Sequence, residues 1–209
     1  MLVGVLAMQG GIEEHEQILD ELGVEHRRVR RPEHLEGINA MILPGGESTT
    51  MSKLLELNEV YEPLRKALDQ GLPVFGTCAG MILLATDILD TRPDAKKFSA
   101  IDMTVRRNAF GRQVDSFEVD LDVDGIDGPM EAIFIRAPWV EKAGQDVRIL
   151  ATVPTGPAQG MIVAVKQGNA LATAFHPECT GEKRIHEMFV RDAQAVGLSA
   201  HANGTVTPV

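Results

Sequence analysis

The chain has 209 residues, 44% of them hydrophobic, with a mean hydropathy of −0.03. That is enough for one well-buried domain and short for two, and no apolar run approaches the roughly 20 residues of a membrane span. Net charge is −10, which argues against nucleic acid as the main partner, because phosphate binding needs a basic face.

In chain order, residues 2–8 read as a buried strand; a signal peptide would want a basic residue before them, and none precedes. Residues 11–22 follow as a helix with Ile12, Ile18, Leu19 and Leu22 on one side. A second strand is expected over 25–30 and a third over 40–43, the latter running into Pro44-Gly45-Gly46-Glu47-Ser48-Thr49-Thr50. Helices over 51–57 and 61–70 lead to an apolar strand over 73–77 and a helix over 81–86. Such alternation implies a mostly parallel central sheet with helices on its faces. Ligand sites in these sheets lie beyond the carboxyl ends of the strands, so the loops at Gly10-Gly11, Gly45-Gly46 and Cys78 should converge. After residue 100 the strands shorten and alternate (102–106, 116–121, 132–135, 148–153, 161–166 and 170–175). Some are expected to extend the main sheet and others to form a smaller antiparallel one. A helix over 182–196, with Ile185, Met188, Phe189 and Ala193 inward, closes a single domain spanning 1–197. Residues 198–209 read as a flexible tail.

The two cysteines, Cys78 and Cys179, are far apart and lack a C-x-x-C spacing. Neither a disulfide framework nor a metal site is expected, no cofactor is implied, and the compartment reads as reducing and cytoplasmic. Cys78 nevertheless sits in an informative place. In Gly76-Thr77-Cys78-Ala79-Gly80, small residues let a strand turn sharply into a helix and hold the thiol above the sheet. Serine occupies that position in G-x-S-x-G elbows. A sulfur at a helix N-terminus also feels the positive end of the helix dipole, which favours thiolate.

A base is offered by His176, with Glu178 two residues on. On an extended segment both side chains would point the same way, completing a Cys-His-Glu nucleophilic triad. The triad leaves the reaction class open. Taken alone, Pro44-Gly45-Gly46-Glu47-Ser48 is a tight strand-to-helix turn. It lacks the lysine of a phosphate loop, and beside a nucleophile its backbone N–H groups suit an oxyanion hole. Arg106, Arg107, Arg112 and Arg136 bring positive charge to an acidic chain, and an arginine in a pocket suits a substrate carboxylate. Cys179 reads as a packing thiol.

As a set, these motifs resemble the class I glutamine amidotransferases, and within them the glutaminase subunits of pyridoxal 5′-phosphate synthases. The passages that carry the likeness are Gly4-Val5-Leu6-Ala7-Met8-Gln9-Gly10, Leu43-Pro44-Gly45-Gly46-Glu47-Ser48-Thr49-Thr50, Gly76-Thr77-Cys78-Ala79-Gly80, the stretch from Arg107-Asn108-Ala109-Phe110-Gly111-Arg112 to Glu118, Phe134-Ile135-Arg136-Ala137-Pro138 and Phe175-His176-Pro177-Glu178. The resemblance implies a flavodoxin-like three-layer α/β/α fold and hydrolysis of L-glutamine by Cys78, His176 and Glu178. It further implies substrate contacts from Gly46, Glu47, Ser48, Arg107, Ile135 and Arg136, and an oxyanion hole from the N–H groups of Gly46 and Ala79. The implied partner is a synthase subunit that activates the glutaminase and accepts its ammonia. A small cysteine hydrolase with a similar elbow is the rival from another class, and it would not usually carry a His-Pro-Glu segment ending a late strand.

Overall fold

The computed structural model describes residues 1–107, 109, 116–156 and 158–202. Its first half alternates strand and helix: β1 (Leu2–Leu6), α1 (Ile12–Glu21), β2 (Glu25–Val29), β3 (Ala40–Leu43), α2 (Ser48–Leu57), α3 (Tyr61–Asp69), β4 (Val74–Thr77) and α4 (Ala79–Leu84). Strands β3 and β4 are buried at every position and β1 at all but its first. Continuous apolar runs of this kind suit a parallel sheet covered on both faces. β2 carries Glu25, Arg27 and Arg28 outward and forms the charged edge that such a sheet needs to stay unpaired.

The second half contributes β5 (Ala85–Leu89), β6 (Ile101–Arg106), β7 (Ser116–Leu121), β8 (Met130–Ile135), β9 (Trp139–Ala143), β10 (Arg148–Thr152), β11 (Ile162–Gln167) and β12 (Ala170–Thr173), then α5 (Pro177–Thr180) and α6 (Arg184–Ala202). The main sheet runs β2-β1-β3-β4-β12-β11-β9-β6-β5, with β10 beside β11, while β7 and β8 form a separate pair. From β2 to β12 the strands are parallel; β11 then enters antiparallel. A 2-1-3-4-5 order for the parallel part is the flavodoxin-like arrangement, with its switch point between β1 and β3. The carboxyl ends of β1, β3, β4 and β12 therefore lie along one rim.

The β7–β8 pair is fixed to that rim by aromatic packing. Phe117 stacks on Phe134 with ring centroids 4.5 Å apart, and Phe134 meets Phe175 edge-on at 5.7 Å. The contact brings the Ile133 carbonyl to the His176 N–H, which donates to it at 3.0 Å.

Several boundaries differ from the sequence reading. α4 starts at Ala79 and ends by Leu84, because Ala85 pairs with Ile101 and the chain enters β5. The strand expected over 170–175 stops at Thr173, and β9 was not foreseen. The closing helix continues to Ala202, so the first five residues of the expected tail are helical. Residues 203–209 lie outside those described, as do Asn108 and residues 110–115 of the arginine-rich motif. Among the described residues no helix is long and apolar enough to cross a membrane.

Candidate active site

Cys78 joins β4 to α4 with φ 49° and ψ −100°. A positive φ is uncommon for a residue with a side chain and persists only where its surroundings enforce it. Here the Cys78 N–H donates to the Thr173 carbonyl at 2.8 Å, and α4 presses against β3. A Cβ on Gly80 would lie 2.0 Å from the Leu43 carbonyl oxygen, so only glycine allows the approach. Cys78 thus stands at the rim, held there by a strained backbone.

His176 and Glu178 meet, but through a turn. β12 has ended, His176 caps the four-residue α5, and Pro177 occupies its first position, where proline is favoured. The turn folds the carboxylate back, and His176 Nδ1 lies 2.8 Å from Glu178 Oε1. This corrects the extended-strand geometry expected for the pair. Nε2 is left for the thiol. Burial alone would lower the His176 pKa; hydrogen bonding and charge interactions with Cys78 and Glu178 outweigh it and raise it to about 11. The imidazolium form is therefore favoured near neutrality. Burial would raise the Glu178 carboxyl, yet it is held well below the usual carboxylate range. His15 lies nearby but is itself kept neutral by burial, so His176 supplies the balancing charge.

The glycine loop after β3 closes over this pair. A Cβ on Gly45 would fall 2.2 Å from His176 Cε1 and 3.4 Å from Cys78 Cβ. The Gly11 N–H donates to the Gly45 carbonyl at 3.3 Å, and the Glu47 N–H to Gln9 Oε1 at 2.6 Å. The three loops at the ends of β1, β3 and β4 meet around one thiol-imidazole-carboxylate set.

A model of the SNO glutamine amidotransferase family matches residues 5–195. The chain belongs to that family. It is 63% identical over 192 residues to the pyridoxal 5′-phosphate synthase subunit PdxT of Rhodococcus opacus (strain B4), covering 90% of this chain and 95% of that one. With the subunit of the same name from Nocardia farcinica (strain IFM 10152) it shares 61% over 196 residues, 93% of this chain and 87% of the other. A crystal structure described as a glutamine amidotransferase superposes with a TM-score of 0.85 at 44% identity, covering 92% of this chain and 98% of its own.

For a glutamine amidotransferase, the candidate substrate residues fall into two groups. Glu47 caps α2: its carboxylate accepts from Thr49 N at 3.1 Å, from Thr50 N at 2.7 Å and from Thr50 Oγ1 at 2.8 Å. Partial burial works against the charge, but the hydrogen bonds from Thr50 and Thr49 prevail and bring the Glu47 pKa down to about 2. Arg107 Nη2 reaches Glu47 Oε1 at 3.1 Å, which ties the arginine to the Gly46-Glu47-Ser48 loop. Arg106 points away, to Asp90 at 2.9 Å and Glu141 at 3.2 Å. Ser48 and Ala79 open α2 and α4. Ile135 and Arg136 form the second group, at the end of β8 just past the carbonyl that holds His176; Arg136 has φ 43°, a further strained position on the rim.

Sequence reasoning quoted Gln9, Gly45 and Thr77 within its motifs without giving any of them a role of its own, and it passed over His15 and His186. Helical spacing offered a signal for the histidines, since His15 precedes the inward Ile18 and Leu19 by three and four residues and His186 precedes Phe189 and Val190 likewise. Among the described residues, His176, Glu178 and Cys179 place ligand-type atoms within 4.8 Å of one another. His176 Nδ1 and Glu178 Oε1 are already engaged with each other, so the set is built for proton handling.

Proposed function

We propose that this chain hydrolyses L-glutamine to L-glutamate and ammonia and passes the ammonia to a synthase subunit that makes pyridoxal 5′-phosphate. The observation that carries the reading is the His176–Glu178 pair, 2.8 Å apart, beside a cysteine on a strained strand-to-helix elbow. The likeness to the PdxT subunits supplies the partner. One glutaminase domain over 1–197, working in the cytoplasm, fits this role.

Cys78 Sγ, beside the His176 imidazolium, attacks the side-chain amide carbon of glutamine. The N–H groups of Gly46 and Ala79 take the oxyanion. His176 Nε2 gives its proton to the departing nitrogen, ammonia leaves and a glutamyl thioester remains. Water then attacks the thioester while Nε2 accepts its proton, releasing glutamate and restoring the starting Cys78–His176 pair. Glu178 holds the imidazole tautomer and its charge throughout. Glutamine hydrolysis measured with and without a synthase subunit tests the whole reading; no ammonia in either arrangement would remove it.

Glu178→Gln is expected to lower kcat by at least roughly tenfold with little change in KM, because a carboxylate that orients the base acts on chemistry. An effect confined to KM would make Glu178 a substrate ligand instead.

Arg107 supports the α-carboxylate of glutamine. Losing a charged hydrogen-bond partner typically costs about 1.5–3 kcal/mol, roughly 10- to 150-fold in affinity. Arg107 must first leave Glu47, which offsets part of that, so Arg107→Ala is expected to raise KM about tenfold with kcat nearly preserved. Arg106→Ala, whose partners lie on Asp90 and Glu141, should leave both constants unchanged. Steady-state kinetics of the two variants with the synthase present check this.

A further inference from the structure

Beneath the triad lies a run of buried polar side chains that the hydrolysis steps do not use. His15 on α1 and His186 on α6 are both 0% exposed, with His15 Nδ1 2.8 Å from His186 Nε2. The other nitrogen of His15, Nε2, lies 3.2 Å from Thr77 Oγ1 and 3.7 Å from Glu178 Oε1. Thr77 Oγ1 donates to that same oxygen at 3.5 Å. Glu178 Oε2 and His186 Nδ1 are buried atoms without a hydrogen-bond partner among the described residues.

Proton placement follows from these contacts. An ionised Glu178 only accepts, so the Thr77 hydroxyl donates to it and accepts from His15 Nε2–H. His15 then has a bare Nδ1, which accepts from His186 Nε2–H. The remaining bare nitrogen, His186 Nδ1, belongs to a ring packed edge-on against Phe75 at 5.3 Å. Each donated proton points toward Glu178. The charged groups facing His15 are Glu178 and His176 from the β12–α5 turn and Glu14 from its own helix. Burial lowers the pKa of both histidines, His186 to about 3, which keeps the chain neutral and its direction fixed.

We propose that His15, backed by His186, is a positioning residue that acts through Thr77 to keep Glu178 Oε1 on His176 Nδ1. Glu178 sits on a four-residue helix with its second oxygen unpartnered, so its rotamer depends on what meets Oε1. From the protein interior, Thr77 and His15 do so. Two imidazoles in an aromatic core carry a desolvation cost that an apolar ring would avoid, which is expected of a device kept for function. In what it says of turnover, the proposal rests on the glutaminase reading.

The test combines kinetics with histidine side-chain NMR. With the synthase present, His15→Phe is expected to lower kcat about tenfold at unchanged KM, the low end for a hydrogen bond serving a charged group. His15→Gln, which restores an N–H donor, should recover most of the loss. His186→Leu should lower kcat severalfold while Tm holds or rises; a purely structural role would lower Tm and leave kcat per folded molecule intact. In ¹⁵N-histidine spectra of the wild-type chain, both buried rings should be neutral Nε2–H tautomers from pH 5 to 8, and the His176 Nδ1–H signal should weaken in His15→Phe. An Nδ1–H tautomer or a charged ring at His15, an unchanged His176 signal, or an unchanged kcat overturns the proposal. Should wild type hydrolyse no glutamine, the functional reading falls and the spectra still decide the role of His15. If His15→Phe does not fold, His186→Leu and Thr77→Val are read in its place.

Discussion

Cys78→Ala is expected to lower glutamine hydrolysis by more than about 10⁴-fold, since removing the nucleophile of a triad leaves only what binding and the oxyanion hole supply. The fold should survive. Alanine keeps the Cβ, so the strain of φ 49° at this position is unchanged, and the backbone bond from residue 78 to Thr173 does not involve the sulfur. Only one small buried atom is lost, well short of the 2–5 kcal/mol typical when a large core side chain is cut to alanine. Ammonia release with the synthase present, set beside a thermal melt, separates the two effects. A loss of less than tenfold would take Cys78 out of the mechanism.

The parts of this molecule that were legible in the sequence are those where local chemistry and tertiary structure agree. The strands over 40–43 and 116–121 come out at their expected limits, because an unbroken apolar run and a strict alternation each allow one reading. The elbow was legible because small residues flank Cys78 on both sides. Where local signals conflict with distant pairing, the reading slipped. Ala85 and Thr86 continue an apolar helical run, yet β6 draws them into a strand. In β9 only Val140 is buried, so its residues show no alternation. The Glu178 carboxylate reached His176 for a different reason from the one its spacing suggested: Pro177 begins a helical turn there, and proline at N1 was the available cue.

The site shows the same division. Which of two adjacent glycines lies under the histidine is set by the approach of loops from β3 and β12; the resemblance assigned Gly46 to the substrate and the oxyanion and gave Gly45 no role of its own. Gly46 packs on Gln9, whereas Gly45 is the residue against the His176 ring. The His15–His186 pair was hidden for a related reason. Each histidine sits at a helical position whose neighbours are apolar, and only assembly of α1, α6 and β4 brings the two imidazoles together.

Gly45→Ala is therefore expected to cripple the enzyme without removing any group that carries chemistry. The new methyl would sit 2.2 Å from His176 Cε1 and 2.8 Å from Nδ1, far inside van der Waals contact, so either the ring or the loop must move. Loop retreat is resisted by the Gly11 N–H, which holds the Gly45 carbonyl at 3.3 Å, and by Gln9, which holds the Glu47 N–H at 2.6 Å. Ring displacement breaks the 2.8 Å bond to Glu178 and carries Nε2 away from the thiol. A misplacement of about 1 Å can cost roughly 10²-fold in rate, and kcat should fall by at least that much. Denaturant unfolding should show a smaller penalty, about 1–3 kcal/mol for an overpacked contact. Gly46→Ala is the informative neighbour: its methyl would meet Gln9 Oε1 at 2.7 Å and the Gln9 carbonyl at 3.2 Å, so the amide must leave the Glu47 N–H while the His176 ring is left alone. Were Gly46→Ala the more damaging of the two for kcat, the loop would act on the oxyanion before it acts on His176.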